Sequence, residues 1–214
     1  MVKIDRTPLP SGVSITKAED YLNPPVYKML VEDFFNKCYI CEIAKESKWE
    51  VDHRQSQSNF PARRYDWTNL FLSCPHCNGI KRAHYDDIID CTNDDPEAHI
   101  IFSVININDI TITAIGTASA SINKTIELLN KVYNGIGRYP TDIGCANLRN
   151  KVIQEVAIFR RELLRYTNET KKGQKQVQRK KVEEQLQRRS AFAAFKRAIV
   201  RIDKSIAAEF GAAL

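Results

Sequence analysis

The fold of this chain is decided by residues 67–81, WTNLFLSCPHCNGIK, where a Cys-x-x-Cys pair has an asparagine on either side. Asn78 follows the pair directly, and Asn69 lies five residues before it. The apolar residues 70–72 predict a short strand or turn, and the residues after the pair are typical of a helix start. This stretch therefore predicts a strand or turn followed by a helix whose early turn carries Asn78.

Four of the six cysteines form two Cys-x-x-Cys pairs separated by 32 residues, namely Cys38 with Cys41 and Cys74 with Cys77. The N-terminal sequence lacks the apolar segment of a secretory signal, so we expect a cytoplasmic protein whose thiols stay reduced. The two pairs predict four thiolates around one tetrahedral structural Zn²⁺, with unrelated reduced core cysteines as the alternative. Cys91 and Cys145 stand outside the pairs and are expected to be small core residues.

Composition and charge narrow the class of protein. The chain has 214 residues, of which 43% are hydrophobic and 27% charged, as in ordinary globular proteins. Its longest apolar stretch, residues 99–105, is too short to span a bilayer, so no membrane contact is expected. Residues 1–150 carry 16 Lys and Arg against 19 Asp and Glu, a balance of −3, whereas residues 151–214 carry 16 against 7, a balance of +9. The basic final third indicates a polyanion or an acidic partner, or else a solvated basic helix face.

Hydrophobic periodicity predicts an α+β chain in three segments, residues 1–37, 38–118 and 119–214. The first holds a coil and a helix that ends near Asn36, and the second holds the cysteine motifs followed by a β-hairpin. The hairpin covers residues 99–115, where IIFSVI and ITITAI bracket the polar turn NIND. The third segment is helical and basic, and we expect it to dock a partner.

Within the third segment, apolar residues recur at helical spacing over 122–133 and over 148–166, with the break NGIGRYP between them. Residues 171–190 are polar and basic, and they predict either a linker or an exposed helix. Residues 192–210 carry an apolar stripe on a helical face. We expect this stripe to be buried, against this chain or another.

Between the two cysteine pairs, residues 49–58, WEVDHRQSQS, predict a strand that ends in Asp52 and His53, followed by a polar loop. Successive side chains of a strand point to opposite faces, so the two residues are suited to separate tasks. An imidazole, with an ordinary pKa of about 6.5, is suited to take a proton from water at neutral pH. The oxygens of Asp52 and Asn78 are ligands that Mg²⁺ prefers, and such a site leaves positions open for phosphate and water.

A set of residues in this order resembles the HNH, or ββα-metal, endonuclease family in its cysteine-bearing version: Cys38, Cys41, Asp52, His53, Asn69, Leu70, Cys74, Cys77, Asn78 and Lys81. The resemblance implies a ββα-metal core with a structural Zn²⁺ on the four cysteines and a catalytic Mg²⁺ or Mn²⁺ on Asp52 and Asn78. It further implies that His53 is the general base and that Asn69 is a catalytic brace, which pins the loop and orients the base. The last letter of the name HNH stands for a histidine, and Asn78 occupies that position here. This replacement is seen in many members of the family.

Beyond the motif, residues 25–135 are similar to the HNH nucleases of anti-phage defence systems, including retron-linked ones. This resemblance implies hydrolysis of phosphodiester bonds in phage DNA, in a complex with an SMC- or ABC-type ATPase. The chain carries no GxxxxGK[ST] phosphate loop of its own. Lys81 and Arg82 follow the motif and are candidates for phosphate contacts, with solvated side chains as the alternative. The other functional hypotheses are a zinc-stapled nucleic-acid-binding module without catalysis and a scaffold subunit.

Overall fold

The computed structural model describes residues 1–105, 110–135 and 141–213, and it combines helices with two small sheets. The helices are α1 (Ala18–Leu22), α2 (Val26–Asp33), α3 (Pro75–Lys81), α4 (Ala120–Asn134), α5 (Thr141–Asn168), α6 (Lys172–Leu186), α7 (Ala193–Ile202) and α8 (Lys204–Phe210). The strands are β1 (Glu50–His53), β2 (Leu70–Ser73), β3 (Ile100–Val104) and β4 (Ile110–Ala114). This mixed architecture confirms the predicted α+β class.

A ββα unit carries the sequence motifs. Strands β1 and β2 pair antiparallel, with His53 opposite Leu70. Helix α3 begins directly after β2, because Cys74 caps its N-terminus through the sulfur and Pro75 occupies the first helical position, where an N–H has no partner within the helix. Asn78 lies in the early part of α3. The order of strand, loop, strand and helix is the one that the sequence predicts.

Strands β3 and β4 form the predicted β-hairpin, in which Ile100 lies opposite Ala114 and Val104 lies opposite Ile110. The predicted turn NIND, residues 106–109, lies outside the described residues. Helix α4 packs against β4, and helix α7 packs against β3. The hairpin is therefore covered by helices from the C-terminal part of the chain.

The main hydrophobic core draws on all three predicted segments. Leu30 from the first, Phe71 from the second, and Leu129 and Phe195 from the third are each 1% exposed or less. A smaller cluster joins helices α5 to α8 and consists of Phe159, Leu163, Tyr166, Val182, Leu186, Val200 and Phe210. The three segments therefore share a core, and their division into domains stays a prediction. Across the described ranges, no helix combines the length and the apolar character needed to cross a membrane.

The C-terminal helices resolve one alternative and correct one expectation. Residues 172–186 form helix α6, so this basic stretch is a mostly exposed helix and not a linker. The apolar stripe of residues 192–210 is interrupted at Asp203, which ends α7 and caps α8 with its side chain. The two ends of the stripe are buried, but Ile202 is 72% exposed. The expected burial is therefore wrong at Ile202, because the helix axis changes before the stripe is complete.

Helix α2 also ends earlier than predicted, at Asp33 instead of near Asn36. Phe35 and Asn36 then adopt left-handed backbone angles, with φ of 55° and 53°. Such angles are uncommon for residues other than glycine, and no glycine marks this turn in the sequence. The turn leads the chain directly into the first cysteine pair.

Candidate active site

The four paired cysteines converge on one point. The Sγ atoms of Cys38, Cys41, Cys74 and Cys77 all lie within 4.8 Å of one another, all four residues are buried, and none forms a disulfide. The Sγ atoms of Cys41 and Cys74 are 3.8 Å apart. A tetrahedral zinc site with Zn–S bonds of about 2.3 Å has sulfur–sulfur edges of about 3.8 Å, so the Cys41–Cys74 edge matches such a site and the other two sulfurs lie close enough to complete it. His76 lies outside the cluster, with its Nε2 2.9 Å from the carbonyl oxygen of Val132.

Backbone hydrogen bonds hold the conformation of the first cysteine pair, independently of any ion. The amide of Glu42 donates to the carbonyl of Cys38 at 2.9 Å, and the amide of Cys38 donates to the carbonyl of Ile43 at 3.0 Å. The amide of Tyr39 donates to the carbonyl of Leu72, in β2, at 3.0 Å. The cluster therefore ties the segment before β1 to the end of β2 and the start of α3.

His53 is 6% exposed and is oriented by contacts on both ring nitrogens. Its Nε2 lies 2.8 Å from the carbonyl oxygen of Arg64, and its Nδ1 lies 3.0 Å from Nε2 of Gln57. A carbonyl can only accept, so Nε2 carries the proton, and Nδ1 offers its lone pair to the Gln57 amide. Burial lowers the pKa of His53 below 6.5, and the positive charges of Lys81 and Arg64 add to this effect. The imidazole is therefore neutral at pH 7 and able to accept a proton at Nδ1.

Asn69 is fully buried and holds the loop between β1 and β2. Its Oδ1 accepts from the amide of Gln55 at 2.8 Å, and its Nδ2 donates to the carbonyls of Gln55 at 2.9 Å and Arg63 at 3.1 Å. The next residue, Arg64, provides the carbonyl that binds the His53 ring. This geometry fits a brace that acts on the base through the loop, and the role of Asn69 in cleavage stays a prediction.

Asp52 is 6% exposed and is held on both carboxylate oxygens. The Tyr39 hydroxyl donates to Oδ2 at 2.7 Å, and Nζ of Lys81 lies 3.3 Å from Oδ1. Burial raises the pKa of Asp52 to about 6, against the opposing effects of Lys81 and of the Tyr39 hydrogen bond. The carboxyl is therefore mostly ionised at pH 7, and acceptor positions remain on its oxygens.

One cavity of about 290 Å³ is lined by Asp52, His53 and Asn78 together. Gln57, which contacts Nδ1 of His53, also lines it. The Nδ2 group of Asn78 donates to Oε2 of Glu50 at 2.8 Å, and within the described ranges Oδ1 of Asn78 receives no protein donor. An amide oxygen and a carboxylate at one polar cavity form a donor set that suits Mg²⁺ or Mn²⁺. The structure thus brings together three of the four residues predicted to bind the ion or act in catalysis, with Asn69 behind them.

Several residues of the site are not singled out by the sequence motif. Glu50 lies two residues before Asp52 in β1, and a search for same-face neighbours in this strand would find it. Tyr39 and Gln57 have no signal in the sequence, because their contacts depend on the folded loop and knuckle. Arg82 is exposed, lines the cavity, and has no carboxylate partner among the described residues.

Lys81 requires a correction, because its side chain is buried and not solvated. Its side chain is 1% exposed, and its Nζ lies 2.8 Å from the carbonyl oxygen of His53 as well as near Asp52. A lysine is rarely buried without a partner, and here the carboxylate of Asp52 is that partner. Of the two candidates for phosphate contacts, Arg82 is the one with an exposed side chain.

A family model described as HNH endonuclease matches residues 38–84, a range that holds both cysteine pairs and the cavity-lining residues. The chain is 39% identical over 83 residues to the Septu protein PtuB of Bacillus thuringiensis. That match covers 36% of this chain and 32% of the relative, so the chain spans about a third of the length of this curated relative. No solved structure matches the chain significantly. Residues 38–84 therefore match the HNH endonuclease family, and the chain resembles Septu protein PtuB over part of its length.

Proposed function

We propose that this chain is a metal-dependent endonuclease that hydrolyses phosphodiester bonds of DNA, with His53 as the general base. The observation that carries the proposal is the single cavity shared by His53, Asp52 and Asn78, because a module that only binds nucleic acid does not need this convergence. The HNH match supports the reaction type. The choice of DNA over RNA follows from the resemblance to the family.

The chemistry assigned to His53 follows from its tautomer. The attacking water takes the place of the Gln57 amide at Nδ1 and donates a proton to that lone pair. The water oxygen forms a bond to phosphorus as the bond between phosphorus and the leaving oxygen breaks. The carbonyl of Arg64 keeps Nε2 protonated, so Nδ1 stays the basic atom and the imidazolium that forms is held in place.

Asp52 and Asn78 would hold the divalent cation, Mg²⁺ or Mn²⁺, and the ion would supply Lewis-acid polarisation of the phosphate and neutralise the leaving oxygen. Arg82 offers an exposed guanidinium at the cavity, which suits a phosphate oxygen. Asn69 positions the loop that orients the base. The four cysteines would hold a structural Zn²⁺, which would fix α3, and with it Asn78, relative to the segment before β1.

We also assign the chain to a cytosolic anti-phage complex with a PtuA-like ATPase of the SMC or ABC kind. The resemblance to PtuB and the lack of a phosphate loop in this sequence support a partner that supplies nucleotide hydrolysis. Helix α6 offers exposed basic side chains for docking, at Lys172, Lys180 and Lys181. Co-expression with such an ATPase tests the assignment: copurification in fixed proportion supports it, and separate elution at low salt contradicts it.

The nuclease assignment is tested by following the nicking of a supercoiled plasmid with Mg²⁺ or Mn²⁺, in the presence and absence of the ATPase. We expect His53→Ala to abolish cleavage while DNA affinity stays largely intact, because the base contributes to the reaction and not to binding. His99→Ala is the matched control, since this histidine lies outside the cavity and contacts Asp94. A His53→Ala protein that cuts as well as the wild type would contradict the assignment and leave the non-catalytic binding module as the better hypothesis.

A further inference from the structure

Lys81 is the last residue of α3, and its side chain is buried behind the residues that line the cavity. Its Nζ lies 2.8 Å from the carbonyl oxygen of His53, 3.3 Å from Oδ1 of Asp52 and 3.4 Å from the carbonyl oxygen of Arg82. These three acceptors match the three N–H donors of an ammonium group. Because the side chain is also 1% exposed, its charge acts on Asp52 and does not reach a bound phosphate directly.

Asp52 is oriented by protein donors before any cation binds. Oδ2 accepts the Tyr39 hydroxyl at 2.7 Å, and Oδ1 faces Lys81. An ionised carboxylate has about four acceptor positions, so these two donors leave positions open toward the cavity. The proposed ligand is therefore fixed in direction, but its negative charge is already balanced by the buried ammonium group.

The proposed ligands and the buried ammonium group balance one another in charge. Asp52 lines the cavity and is paired with Lys81, whereas Asn78, which also lines it, is a neutral amide. One carboxylate, one amide and one ammonium group sum to no net charge. The affinity of an oxygen site for a divalent cation depends strongly on the charge of its ligands. Such a site attracts the ion weakly until a phosphate adds negative charge and a further oxygen.

We propose that Lys81 is a positioning residue that makes the binding of the divalent cation depend on the DNA phosphate. This inference rests on the proposed function and concerns how the site is filled. With Lys81 in place, the ion binds weakly to the free protein and tightly to the complex with DNA. Because coupling between two ligands is reciprocal, the ion must raise the affinity for DNA by the same factor.

The test measures Mn²⁺ binding by electron paramagnetic resonance, which quantifies free Mn²⁺, on zinc-loaded protein with and without a short DNA duplex. Every sample carries His53→Ala so that the duplex stays intact, and the duplex alone is titrated as a blank. We expect the duplex to raise the Mn²⁺ affinity of the protein by about tenfold or more. At a pH that keeps Asp52 ionised, Lys81→Met should raise the affinity of the free protein by about the same factor and reduce the effect of the duplex. Tyr39→Phe removes a hydrogen bond from Asp52 without changing the charge, and this matched control should keep the effect of the duplex.

Zinc content and thermal melting establish whether Lys81→Met is folded, since it leaves a buried carboxylate without its cation. If Lys81→Met is not folded, the proposal is decided by the protein that retains Lys81. Its Mn²⁺ affinity is then compared with and without the duplex. Mn²⁺ that binds the free protein as tightly as the complex would overturn the proposal, as would a folded Lys81→Met protein that binds Mn²⁺ no more tightly. Failure of the nuclease assignment is a separate result: protein with His53 intact would not cut DNA, whatever its Mn²⁺ affinity.

Discussion

Replacing Asn69 by alanine should disable cleavage by loosening the loop behind the base. The change removes three hydrogen bonds, from the amide of Gln55 and to the carbonyls of Gln55 and Arg63. Each bond contributes about 1 kcal/mol net, so the loop should lose about 3 kcal/mol of stabilisation. The adjacent Arg64 carbonyl then no longer fixes the His53 ring, and a displacement of about 1 Å at a reacting group costs on the order of 100-fold in rate.

Hydrogen exchange separates this local effect from general unfolding. The amide of Gln55 bonds to the Asn69 side chain, whereas the amide of Arg54 bonds to the Asn69 backbone carbonyl at 3.0 Å and keeps that partner in the variant. We expect exchange at Gln55 to accelerate by about tenfold for each 1.4 kcal/mol lost, while Arg54 changes little. Two adjacent amides thus serve as test and internal control.

Single-turnover cleavage and DNA affinity are measured on the same protein. Asn93→Ala provides the control, because Asn93 is an exposed asparagine outside the cavity. We expect Asn69→Ala to lose cleavage and retain DNA affinity. Wild-type cleavage in a variant whose Gln55 amide exchanges rapidly would refute the reasoning, because it would show that loop order does not position the base.

Three further changes test the zinc cluster, its packing and the base. Cys74→Ser should lose zinc and stability, whereas Cys91→Ser, buried outside the cluster, should retain stoichiometric zinc by elemental analysis. Gly144→Ala should lower the melting temperature, because the added Cβ would lie 2.8 Å from Nδ1 of His76, which lies between Cys74 and Cys77. In contrast, Gly173→Ala has nothing within 4 Å and should stabilise helix α6 by up to about 1 kcal/mol in chemical denaturation. The single-turnover rate should fall as pH decreases through the lowered pKa of His53, because the protonated imidazole cannot accept a proton; a rate that rises on acidification would contradict its role as base.

The parts of the site that the sequence predicts are those joined by short connections. Asp52 and His53 end one strand, and Asn78 lies near the start of a helix that directly follows the paired strand. A unit this compact can bring both cysteine pairs to one ion in few arrangements. The order of the motif residues therefore largely determines which side chains line the cavity. The same reasoning predicts Asn69 at the turn into β2, although not its three loop contacts.

The contacts that tune the site could not be predicted, because they depend on tertiary packing. The Tyr39 hydroxyl reaches Asp52 from within the first cysteine pair, and Gln57 reaches His53 from the loop between β1 and β2. The sequence was most misleading at Lys81, because it did not predict that this side chain is buried. A lysine one turn after Asn78, the proposed metal ligand, would typically be solvated, and the buried carboxylate beside it explains why this one is not.

The basic C-terminal third shows even more clearly that composition does not reveal which charged side chains are buried. Lys196 and Arg197 are 1% and 3% exposed, and they pair with Glu155 and Glu97 at 2.9 Å each. Part of the charge that suggests a polyanion-binding surface therefore faces the interior, where Arg197 neutralises a glutamate from the acidic part of the chain. Removing one member of such a buried pair costs about 3–5 kcal/mol, so a loss of DNA binding in an Arg197 variant would report damage to the fold. Substitutions of the exposed lysines of α6 leave the core untouched, so there a change in salt dependence, about 0.9 in slope for each phosphate contact removed, reports contact with nucleic acid.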